Sequence, residues 1–267
     1  MIVVKIGGAA GISHDALCAD AAALIARGLR LVLVHGGSDA TTTLARQLAH
    51  EPQFITSPSG HTSRRTDPRT LEIFQMACRG IVNQSLVLAL VRQGVRAVGI
   101  SGVDASLWRG TRKAAIRAIV DGRTRLIRDD YSGTVDHVDP TLINTLLDAG
   151  FTPVISPPAL SEAREPINVD ADRAAARTAA ALDAENLLLL SNIPGLLRAF
   201  PDESSLIQSV PIERLDEAES LAQGRMKNKV LAAREALLAG VRRVVIGDAR
   251  ADTPISRAFE GAGTVFA

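Results

Sequence analysis

The sequence predicts an α/β protein, a three-layer α/β/α sandwich around a mainly parallel central sheet. Two early apolar runs, residues 2–6 and 30–35, each end in paired glycines and are followed by helix-like sequence. Strands of parallel sheets are buried on both faces, so they read as short continuous apolar runs that alternate with helices. The composition agrees, because 46% of the residues are hydrophobic but only 3% are aromatic, which leaves an aliphatic core.

Capping residues set the predicted helices of the first hundred residues. Ser13 is a candidate N-cap and Gly28 a candidate stop for the first helix. Asp67-Pro68 supplies a cap followed by proline at the first helical position, which starts the third helix. In chain order, the elements predicted after the first strand are a helix at 13–28, a strand at 30–35, a helix from 38 or 39 to about 51, a helix at 67–93 and a strand at 96–100.

The pattern changes between Leu107 and Val138, where short alternating stretches replace the helical ones. Asp121-Gly122 and Ser132-Gly133 are turn-forming pairs, and we interpret them as hairpin turns. The segment 107–138 is therefore predicted to consist of β-hairpins rather than a helical crossover.

Helices and strands alternate again in the rest of the chain. The predicted elements are a helix at 139–149, a strand at 152–156, an alanine-rich helix after Asp172, a strand at 186–190, helical segments at 212–223 and 226–239, a strand at 243–247, and a terminal helix and strand. No linker rich in proline, glycine or serine separates the two halves. We therefore expect one domain, 1–267, whose lobes 1–165 and 166–267 share a continuous sheet.

Charge and cysteine content disfavour several classes of protein. The chain has 30 basic and 29 acidic residues, a formal net charge of +1, so no global field attracts nucleic acid or a membrane surface. No signal peptide is recognisable, and no apolar run approaches the ~18 residues of a membrane span. Cys18 and Cys78 lie in helix-like sequence without metal-ligand spacing and are expected to be free thiols. These features predict a cytoplasmic protein.

The paired glycines that end the first two strands are candidate anion-binding turns. Without a Cβ, the backbone of Gly7-Gly8 and of Gly36-Gly37 can approach a phosphate, and the amides that follow point at its charge. A single pair would be ordinary turn chemistry, but here there are two, and Lys5 stands two residues before one of them. Neither the P-loop motif nor the glycine-rich dinucleotide fingerprint occurs, which disfavours P-loop NTPases and typical dinucleotide dehydrogenases.

Further polar motifs follow these turns in a fixed order along the chain. They are Arg64-Arg65-Thr66-Asp67, Asn168-Val169-Asp170-Ala171-Asp172, Ser191-Asn192-Ile193-Pro194-Gly195 and Gly224-Arg225-Met226-Lys227-Asn228-Lys229. Taken together with the glycine pairs, they resemble the amino acid kinase family over essentially the whole chain. Within the family, the sequence is most similar to kinases of carrier-linked aminoadipate. Acetylglutamate kinases usually have glycine at the position of Ser38 and asparagine at that of Asp170.

The resemblance implies a reaction. It implies ATP-dependent phosphorylation, with Mg²⁺, of the side-chain carboxylate of 2-aminoadipate whose amino group is tied to an acidic carrier protein, in lysine biosynthesis. The alternatives are acetylglutamate kinase of arginine biosynthesis and an enzyme that serves carrier-linked glutamate as well. A non-catalytic sensor of the same fold is disfavoured because Lys5, Asp172 and Lys229 are all present. The family also implies a homodimer, with the acceptor bound by lobe 1–165 and ATP by lobe 166–267.

The resemblance also assigns roles to single residues. Lys5, Lys229 and the amides of Gly8 and Gly37 would stabilise charge on the transferred phosphoryl group, since phosphoryl transfer needs positioned cations and amides more than a base. Asp172 would hold the two lysines, or cap the helix that follows it. The matching acceptor-site residues are Gly36, Gly37, Ser38, Arg64 and Asn168, and those of the ATP site are Gly7, Gly8, Ser191, Asn192, Gly195, Lys227 and Lys229. No dedicated metal cage is expected, because Mg²⁺ enters with ATP.

Basic residues are concentrated in one short stretch of this nearly neutral chain. Between Trp108 and Asp130 there are seven basic residues and three acidic ones. They could simply solvate a β-ribbon and keep its edges from pairing. Nucleic acid is disfavoured because only Trp108 and Tyr131 are available for stacking. An acidic protein partner fits a local patch on a metabolic kinase better, and the expected docking residues are Arg109, Arg112, Lys113 and Arg117.

Overall fold

A computed structural model describes residues 1–8, 12–58, 62–120 and 123–267. In chain order its strands are β1 (Ile2–Ile6), β2 (Leu31–His35), β3 (Phe54–Thr56), β4 (Thr62–Arg64), β5 (Ala97–Ser101), β6 (Trp108–Gly110), β7 (Ile116–Val120), β8 (Arg123–Ile127), β9 (Ser132–Gly133), β10 (His137–Val138), β11 (Thr152–Ser156), β12 (Ala159–Ser161), β13 (Pro166–Val169), β14 (Asn186–Ser191), β15 (Ser209–Val210), β16 (Arg243–Asp248) and β17 (Thr264–Phe266). Its α-helices are α1 (His14–Ala26), α2 (Ser38–Gln47), α3 (Pro68–Gln75), α4 (Gln84–Arg92), α5 (Thr141–Asp148), α6 (Ala171–Ala181), α7 (Leu215–Leu221), α8 (Met226–Leu238) and α9 (Pro254–Glu260).

An eight-stranded sheet forms the middle layer, in the order β15-β17-β16-β14-β1-β2-β11-β5. Its pairings are parallel except that of β16 with β17. The predicted mainly parallel sheet is thus confirmed, and it continues from the strands of the first half of the chain into those of the second. Strands β1 and β2 are fully buried, as a sheet covered on both faces requires.

Helices cover both faces of this sheet. On one face, α1, α4 and α9 form a core with Val4 and Leu33. On the other face, α5, α6, α7 and α8 pack over Val3 and Val34. Neighbouring residues such as Val3 and Val4 enter opposite cores because successive side chains of a strand alternate between its faces. This arrangement is the α/β/α sandwich that the sequence predicts.

Two predicted helix starts are confirmed by their hydrogen bonds. The Ser13 side chain accepts from Ala16 N at 3.3 Å at the start of α1, and the Asp67 side chain accepts from Thr70 N at 2.7 Å at the start of α3. Gly28 follows α1 with a φ of +88°, the left-handed conformation that commonly ends a helix. The two cysteines, Cys18 and Cys78, are buried free thiols.

The third predicted helix is continuous from Pro68 to Arg92 but is not α-helical throughout. Its middle, Met76–Asn83, is a π-helix between α3 and α4, which no pattern in the sequence indicates. By length and composition alone this helix could cross a membrane, a test that core helices of globular proteins also pass. Polar residues such as Arg79 and Asn83 interrupt this helix, so it contains no continuous apolar run of ~18 residues. Leu86 and Leu90 of α4 are fully buried in the core beside α1.

Two smaller sheets carry the segment between Leu107 and Val138. Strands β6, β9 and β10 join a five-stranded sheet with β12 and β13, whereas β7 and β8 form a four-stranded ribbon with β3 and β4. The turn predicted at Asp121-Gly122 lies outside the described residues, but β7 and β8 on either side of it pair antiparallel. The turn predicted at Ser132-Gly133 is wrong, because these residues form β9, which pairs in parallel with β13. A two-residue strand is too short for periodicity to reveal.

Candidate active site

The carboxyl ends of β1, β2 and β14 lie side by side at one edge of the central sheet. Ile6 is in register with His35 on one side and with Leu190 on the other. The turns Gly7-Gly8 and Gly36-Gly37 therefore begin next to each other. Open parallel sheets bind ligands beyond the carboxyl ends of their strands. Here a cleft of about 840 Å³ lies at this edge.

This cleft brings together the predicted acceptor and ATP residues, with one exception. Its lining includes Lys5, Gly7, Gly8, Gly36, Gly37, Ser38, Arg64, Asn168, Asp172, Ser191, Asn192, Gly195 and Lys229. The exception is Lys227, which is exposed and does not line the cleft. Lys227 lies in the first turn of α8 with its side chain exposed to solvent, and its contact with ATP stays a prediction.

Lys5 and Lys229 both contact Asp172 in the cleft. Lys229 Nζ donates a hydrogen bond to Asp172 Oδ2 at 2.8 Å, and Lys5 Nζ forms an ion pair with Oδ1 at 2.7 Å. The three residues are only 5–7% exposed. Lys5 lies in β1, whereas Asp172 and Lys229 lie in the first turns of α6 and α8. Three separate elements of the fold thus meet at one carboxylate.

The carboxylate of Asp172 stays ionised although it is buried. Burial alone would raise the pKa of Asp172, but the charges and hydrogen bonds of Lys229 and Lys5 outweigh it and hold that pKa well below its usual range. Burial lowers the pKa of Lys5, and the Asp172 carboxylate partly offsets this effect. Two lysine side chains face one carboxylate here, an arrangement that suits an anionic ligand.

Asp170, not Asp172, caps helix α6. Its Oδ1 accepts hydrogen bonds from Asp172 N and Arg173 N, both at 3.0 Å. The alternative role of Asp172 as an N-cap is therefore wrong, and its carboxylate is directed at the two lysines. Asp170 Oδ2 also accepts from Asn228 Nδ2 at 2.7 Å, which joins the beginnings of α6 and α8.

The two glycine turns approach each other closely. A Cβ on Gly8 would lie 3.3 Å from Gly37 N and 3.4 Å from Ser38 N. Among the residues that the structure describes, no backbone carbonyl accepts from the amides of Gly37 and Ser38. These amides and the two lysines border the same cleft. The space between the turns is therefore a candidate phosphoryl site.

Arg64 extends from β4 into the same cleft. Its Nη2 donates to Ser38 O at 3.0 Å and to Thr42 Oγ1 at 2.7 Å, and its guanidinium carbon lies 5.0 Å from the ring centroid of Phe54. Nη1 is buried and has no hydrogen-bond partner within the described part of the chain. Burial, and then the charge of Arg225, lowers the pKa of Arg64, but arginine stays protonated at neutral pH. A ligand carboxylate is a suitable partner for the unpaired donor.

Asn168 is held at the cleft by residues to which the sequence patterns assign no role. Its Nδ2 donates to Thr66 Oγ1 at 2.9 Å. Thr66 N in turn donates to the buried carboxylate of Asp130 at 2.8 Å, which also accepts from Ser132 N. In the sequence Asp130 is only one of the acidic residues of the basic stretch, and no local pattern indicates that it organises the wall around Asn168.

The lining of the cleft also includes the basic residues Lys113, Arg173 and Arg225. Lys113 is expected from the sequence to dock a carrier, but its backbone N–H donates to Ser132 O at 2.9 Å, which places the residue beside the cleft. Arg225 immediately precedes α8 and belongs to a motif quoted above for its lysines alone. Lys113 and Arg225 therefore add positive charge to the lining of the cleft.

Arg112, one of the expected docking residues, makes several contacts within the chain. Its guanidinium carbon lies 3.6 Å from the ring centroid of Tyr131, its Nε donates to Asp130 O at 3.0 Å, and its Nη1 forms an ion pair with Glu165 at 3.3 Å. These contacts fasten the segment to the fold, and docking by Arg112 stays a prediction. Arg109 and Arg117 are exposed, on β6 and β7, and remain candidates for docking.

The side chains that line the cleft indicate whether the protein itself could bind Mg²⁺. Across the described ranges there is no group of three or more His, Cys, Asp or Glu side chains that could hold a metal ion. Asp170 and Asp172, the carboxylates of the cleft lining, contact Asn228 and the two lysines. The cleft is thus rich in cationic groups, which suit phosphates better than a bare metal ion.

This fold and this lysine-lined cleft define an amino acid kinase. Residues 1–248 match the amino acid kinase family, and the chain belongs to that family. It is 50% identical over 267 residues to the [LysW]-aminoadipate kinase of Thermus thermophilus, and this alignment covers 99% of each chain. It is 54% identical over 265 residues to that of Deinococcus radiodurans, which covers 99% of this chain and 91% of the relative. The [LysW]-aminoadipate/[LysW]-glutamate kinase of Saccharolobus solfataricus is 38% identical, over 100% of this chain and 99% of its own.

Solved structures show the same fold. N-acetylglutamate synthase from Neisseria gonorrhoeae superposes with a TM-score of 0.79 at 26% identity, over 100% of this chain and 59% of that longer one. Carbamate kinase from Giardia lamblia superposes with a TM-score of 0.69 at 16% identity, over 99% of this chain and 97% of its own. The second likeness concerns the fold alone.

Proposed function

We propose that this chain transfers the γ-phosphoryl group of ATP to the side-chain carboxylate of 2-aminoadipate whose amino group is joined to an acidic carrier protein. One observation carries the chemistry: Lys5 and Lys229 are held on Asp172 beside the glycine amides of a single cleft. The choice of acceptor rests on relatives 50% and 54% identical that are named [LysW]-aminoadipate kinase. The reaction would serve lysine biosynthesis in the cytoplasm, a setting that suits the free thiols.

The reaction needs no general base. A free carboxyl group has a pKa of roughly 4, so the acceptor arrives ionised. One of its oxygens forms a bond to the γ-phosphorus while the bond from that phosphorus to the ADP oxygen breaks, and the products are an acyl phosphate and ADP. The protein must bring two anions together. Lys5 and Lys229, with the amides of Gly8 and Gly37, would offset the charge on the phosphoryl oxygens.

Other residues of the cleft would bind the two substrates. Arg64 would use its unpaired Nη1 to hold a carboxylate of the acceptor, and Asn168 would orient the acceptor beside it. Ser191, Asn192 and Gly195 would border the nucleotide. Mg²⁺ would come bound to ATP and neutralise phosphate charge, in a cleft whose own charged groups near the phosphates are mainly cationic.

The acceptor is tested with four compounds that differ in two respects. The side chain is that of glutamate or aminoadipate, and the amino group is either acetylated or joined to the carrier protein. ADP release and trapping of the acyl phosphate with hydroxylamine report turnover. We expect the highest kcat/KM for carrier-linked aminoadipate, about 10²-fold above the acetylated compounds, because binding energy remote from the reacting group is lost with the carrier.

Two outcomes of this experiment would change the assignment. High turnover of free N-acetylglutamate would identify an acetylglutamate kinase. Equal turnover of carrier-linked glutamate and carrier-linked aminoadipate would identify an enzyme that serves both, as the name of the Saccharolobus solfataricus relative states for that protein.

The carrier would dock on one face of the four-stranded ribbon. Residues that pair across an antiparallel ladder share a face, as do residues two apart in one strand. By register, Arg64, Phe54, Ile119, Arg117 and Leu126 lie on the same face, which we call the ribbon face. Arg64 and Phe54 line the cleft, whereas Ile119 and Leu126 are 46% and 57% exposed beside Arg117. An acidic carrier whose attached substrate enters the cleft would meet this basic and apolar surface.

A charge reversal tests the docking face. Arg117→Glu should raise KM for the carrier-linked acceptor severalfold, more strongly at low ionic strength, and leave KM for ATP and for an acetylated acceptor unchanged. Arg242→Glu is the matched control, because Arg242 is also exposed but precedes the amino end of β16, at the opposite edge of the central sheet. An unchanged KM in Arg117→Glu would argue against docking on this face.

A homodimer would form through the outer side of the long helix and the neighbouring sheet edge. Ile81, Leu88 and Val91 are 47–50% exposed. Strand β5 ends the central sheet beside this helix. An unpaired edge next to exposed apolar side chains is suited to a second copy that continues the sheet. Light scattering should give twice the mass of one chain for the wild type and a monomer for Leu88→Glu.

A further inference from the structure

The peptide that joins Gly36 to Gly37 has its two polar groups on opposite sides. It is trans, so its carbonyl and its N–H point in opposite directions. Gly36 O faces the buried ring of His35, whose Nδ1 lies 2.8 Å away. Gly37 N is therefore on the side of Gly8, and at 3.3 Å it is the nearest atom to the position that a Cβ on Gly8 would take.

Hydrogen bonds behind the turn fix which nitrogen of His35 carries the proton. Arg79 Nη1 can only donate and lies 3.0 Å from Asn83 Oδ1, whereas Val154 O can only accept and lies 2.9 Å from Asn83 Nδ2. The amide of Asn83 is thus oriented from both ends. Its other N–H points at His35 Nε2, 3.0 Å away, which must accept it. Nδ1 then carries the proton and donates to Gly36 O.

The ring of His35 remains neutral in this setting. It is 1% exposed, and burial lowers its pKa to about 4, although the hydrogen bond to Gly36 acts in the opposite direction. The nearby charges of His14, Lys5 and Arg79 lower the pKa further. At neutral pH the Nδ1–H donor and the Nε2 acceptor are therefore both in place.

Two hydrogen bonds hold the peptide between the two glycines, from His35 Nδ1 to Gly36 O and from Asn83 Nδ2 to His35 Nε2, and we call this pair the lock. Glycine on either side lets the peptide rotate at little steric cost. Rotation would replace the Gly37 N–H with a carbonyl oxygen, which repels phosphoryl oxygens. We propose that His35 and Asn83 are positioning residues that hold the Gly36-Gly37 peptide with the Gly37 N–H directed at the transferred phosphoryl group. This inference rests on the proposed function, which places that group between the glycine turns.

The π-helical stretch supports the back of the same turn. Cys78 lies within it, and a Cβ on Gly37 would come within 2.5 Å of Cys78 Sγ. Asn83 is its last residue and is 1% exposed. Neither residue lines the cleft, so both act on the turn from behind. Local π-helices recur at functional sites because they turn side chains away from the α-helical direction.

Three variants separate the hydrogen bonds of the lock. His35→Phe removes both ring nitrogens, Asn83→Leu removes the donor that fixes the tautomer, and His35→Asn keeps a donor at the place of Nδ1. For each we measure kcat, the affinity for ADP, and the affinity for ADP with aluminium fluoride, which mimics the transferred phosphoryl group. His35→Phe and Asn83→Leu should lose about 10–100-fold in kcat and in affinity for the fluoride complex, with ADP affinity unchanged. His35→Asn should recover most of the kcat that His35→Phe loses.

Three results would overturn the lock. The first is a kcat of His35→Phe equal to that of the wild type. The second is a loss of ADP affinity in His35→Phe as large as the loss of kcat, which would indicate general disruption. The third is a kcat of His35→Asn no higher than that of His35→Phe. Should His35→Phe not fold, Asn83→Leu and His35→Asn make the same comparison. If the wild type phosphorylated none of the acceptors, the proposed function would fail. The lock could still be tested, because the affinity for ADP with aluminium fluoride is measured without an acceptor.

Discussion

Replacing Asp172 with asparagine keeps the shape of the side chain but removes the negative charge between two buried ammonium groups. Removing one partner of a buried ion pair costs about 3–5 kcal/mol, because the remaining charge is left without compensation. Here the asparagine oxygen can still accept one hydrogen bond, and Lys5, whose pKa burial already lowers, can release its proton. We therefore expect Asp172→Asn to reduce the free energy of unfolding by about 3 kcal/mol, the lower end of that range.

ATP should recover part of this loss. Its phosphates bring negative charge to the same two lysines, and a ligand that binds only the folded state stabilises it in proportion to the logarithm of its concentration over Kd. The melting temperature of Asp172→Asn should therefore rise more on addition of ATP than that of the wild type. The value of kcat should nevertheless fall, because the lysines are no longer held in fixed positions.

Denaturant unfolding with and without a non-hydrolysable ATP analogue measures both effects. Asp170→Asn is the matched control, since it removes a carboxylate two residues away while asparagine caps helices as well as aspartate does. It should cost less than about 1 kcal/mol. A free energy of unfolding of Asp172→Asn within about 1 kcal/mol of the wild type, or a smaller response to the analogue, would refute the role of Asp172 as the counter-ion of both lysines.

Three further predictions concern the acceptor arginine, the pH dependence of folding and the second glycine turn. Arg64→Lys should raise KM for the acceptor about 10–100-fold and leave KM for ATP unchanged, because an ammonium group cannot reproduce a guanidinium fork. Kinetics with each substrate varied in turn measure both KM values. Equal changes in the two would show that Arg64 does not bind the acceptor. The pKa of His35 is lowered from 6.5 in the unfolded chain to about 4 in the folded protein, so the unfolded chain binds more protons and stability is lost as the pH falls through this window, by about 2.5 kcal/mol at about pH 4.5. Unfolding curves of the wild type should therefore weaken more between neutral pH and about pH 4.5 than those of His35→Asn, and equal weakening would contradict the assignment. Gly37→Ala places a methyl group within 2.5 Å of Cys78 Sγ and should reduce the free energy of unfolding by about 1–3 kcal/mol. The double variant with Cys78→Ala should recover most of this loss. A double-mutant cycle without coupling would show that the two residues do not pack together.

The parts of the fold that could be predicted are those with local signals. Buried strands such as β1 and β2 are continuous apolar runs, and Ser13 and Asp67 are capping residues with their donors three residues away. Strand β9 and the π-helix could not be predicted, because a two-residue strand and one extra residue in a helical turn leave no periodic pattern. Their positions are set by partners distant in the chain.

Some contacts of the candidate site could likewise be predicted from the sequence, whereas others could not. The contact of Lys5 and Lys229 with Asp172 follows from motifs that family resemblance aligns. The residue that caps α6 cannot be chosen from the sequence, because both Asp170 and Asp172 stand before an alanine run and only the backbone shows which one precedes the helix. The hydrogen bond between His35 and Asn83 joins residues 48 apart, and no local spacing indicates it.

The rate of phosphoryl transfer by Lys229→Met tests the proposed centre most directly. Lys227→Met is the matched control, because Lys227 lies two residues earlier in the same helix but is exposed and does not line the cleft. A single turnover with γ-labelled ATP and saturating carrier-linked acceptor measures the chemical step itself. We expect Lys229→Met to be slower than the wild type by about 10²–10³-fold or more, and Lys227→Met to match the wild type. Transfer by Lys229→Met at the wild-type rate would contradict the assignment of Lys5, Asp172 and Lys229 as the phosphoryl-transfer centre.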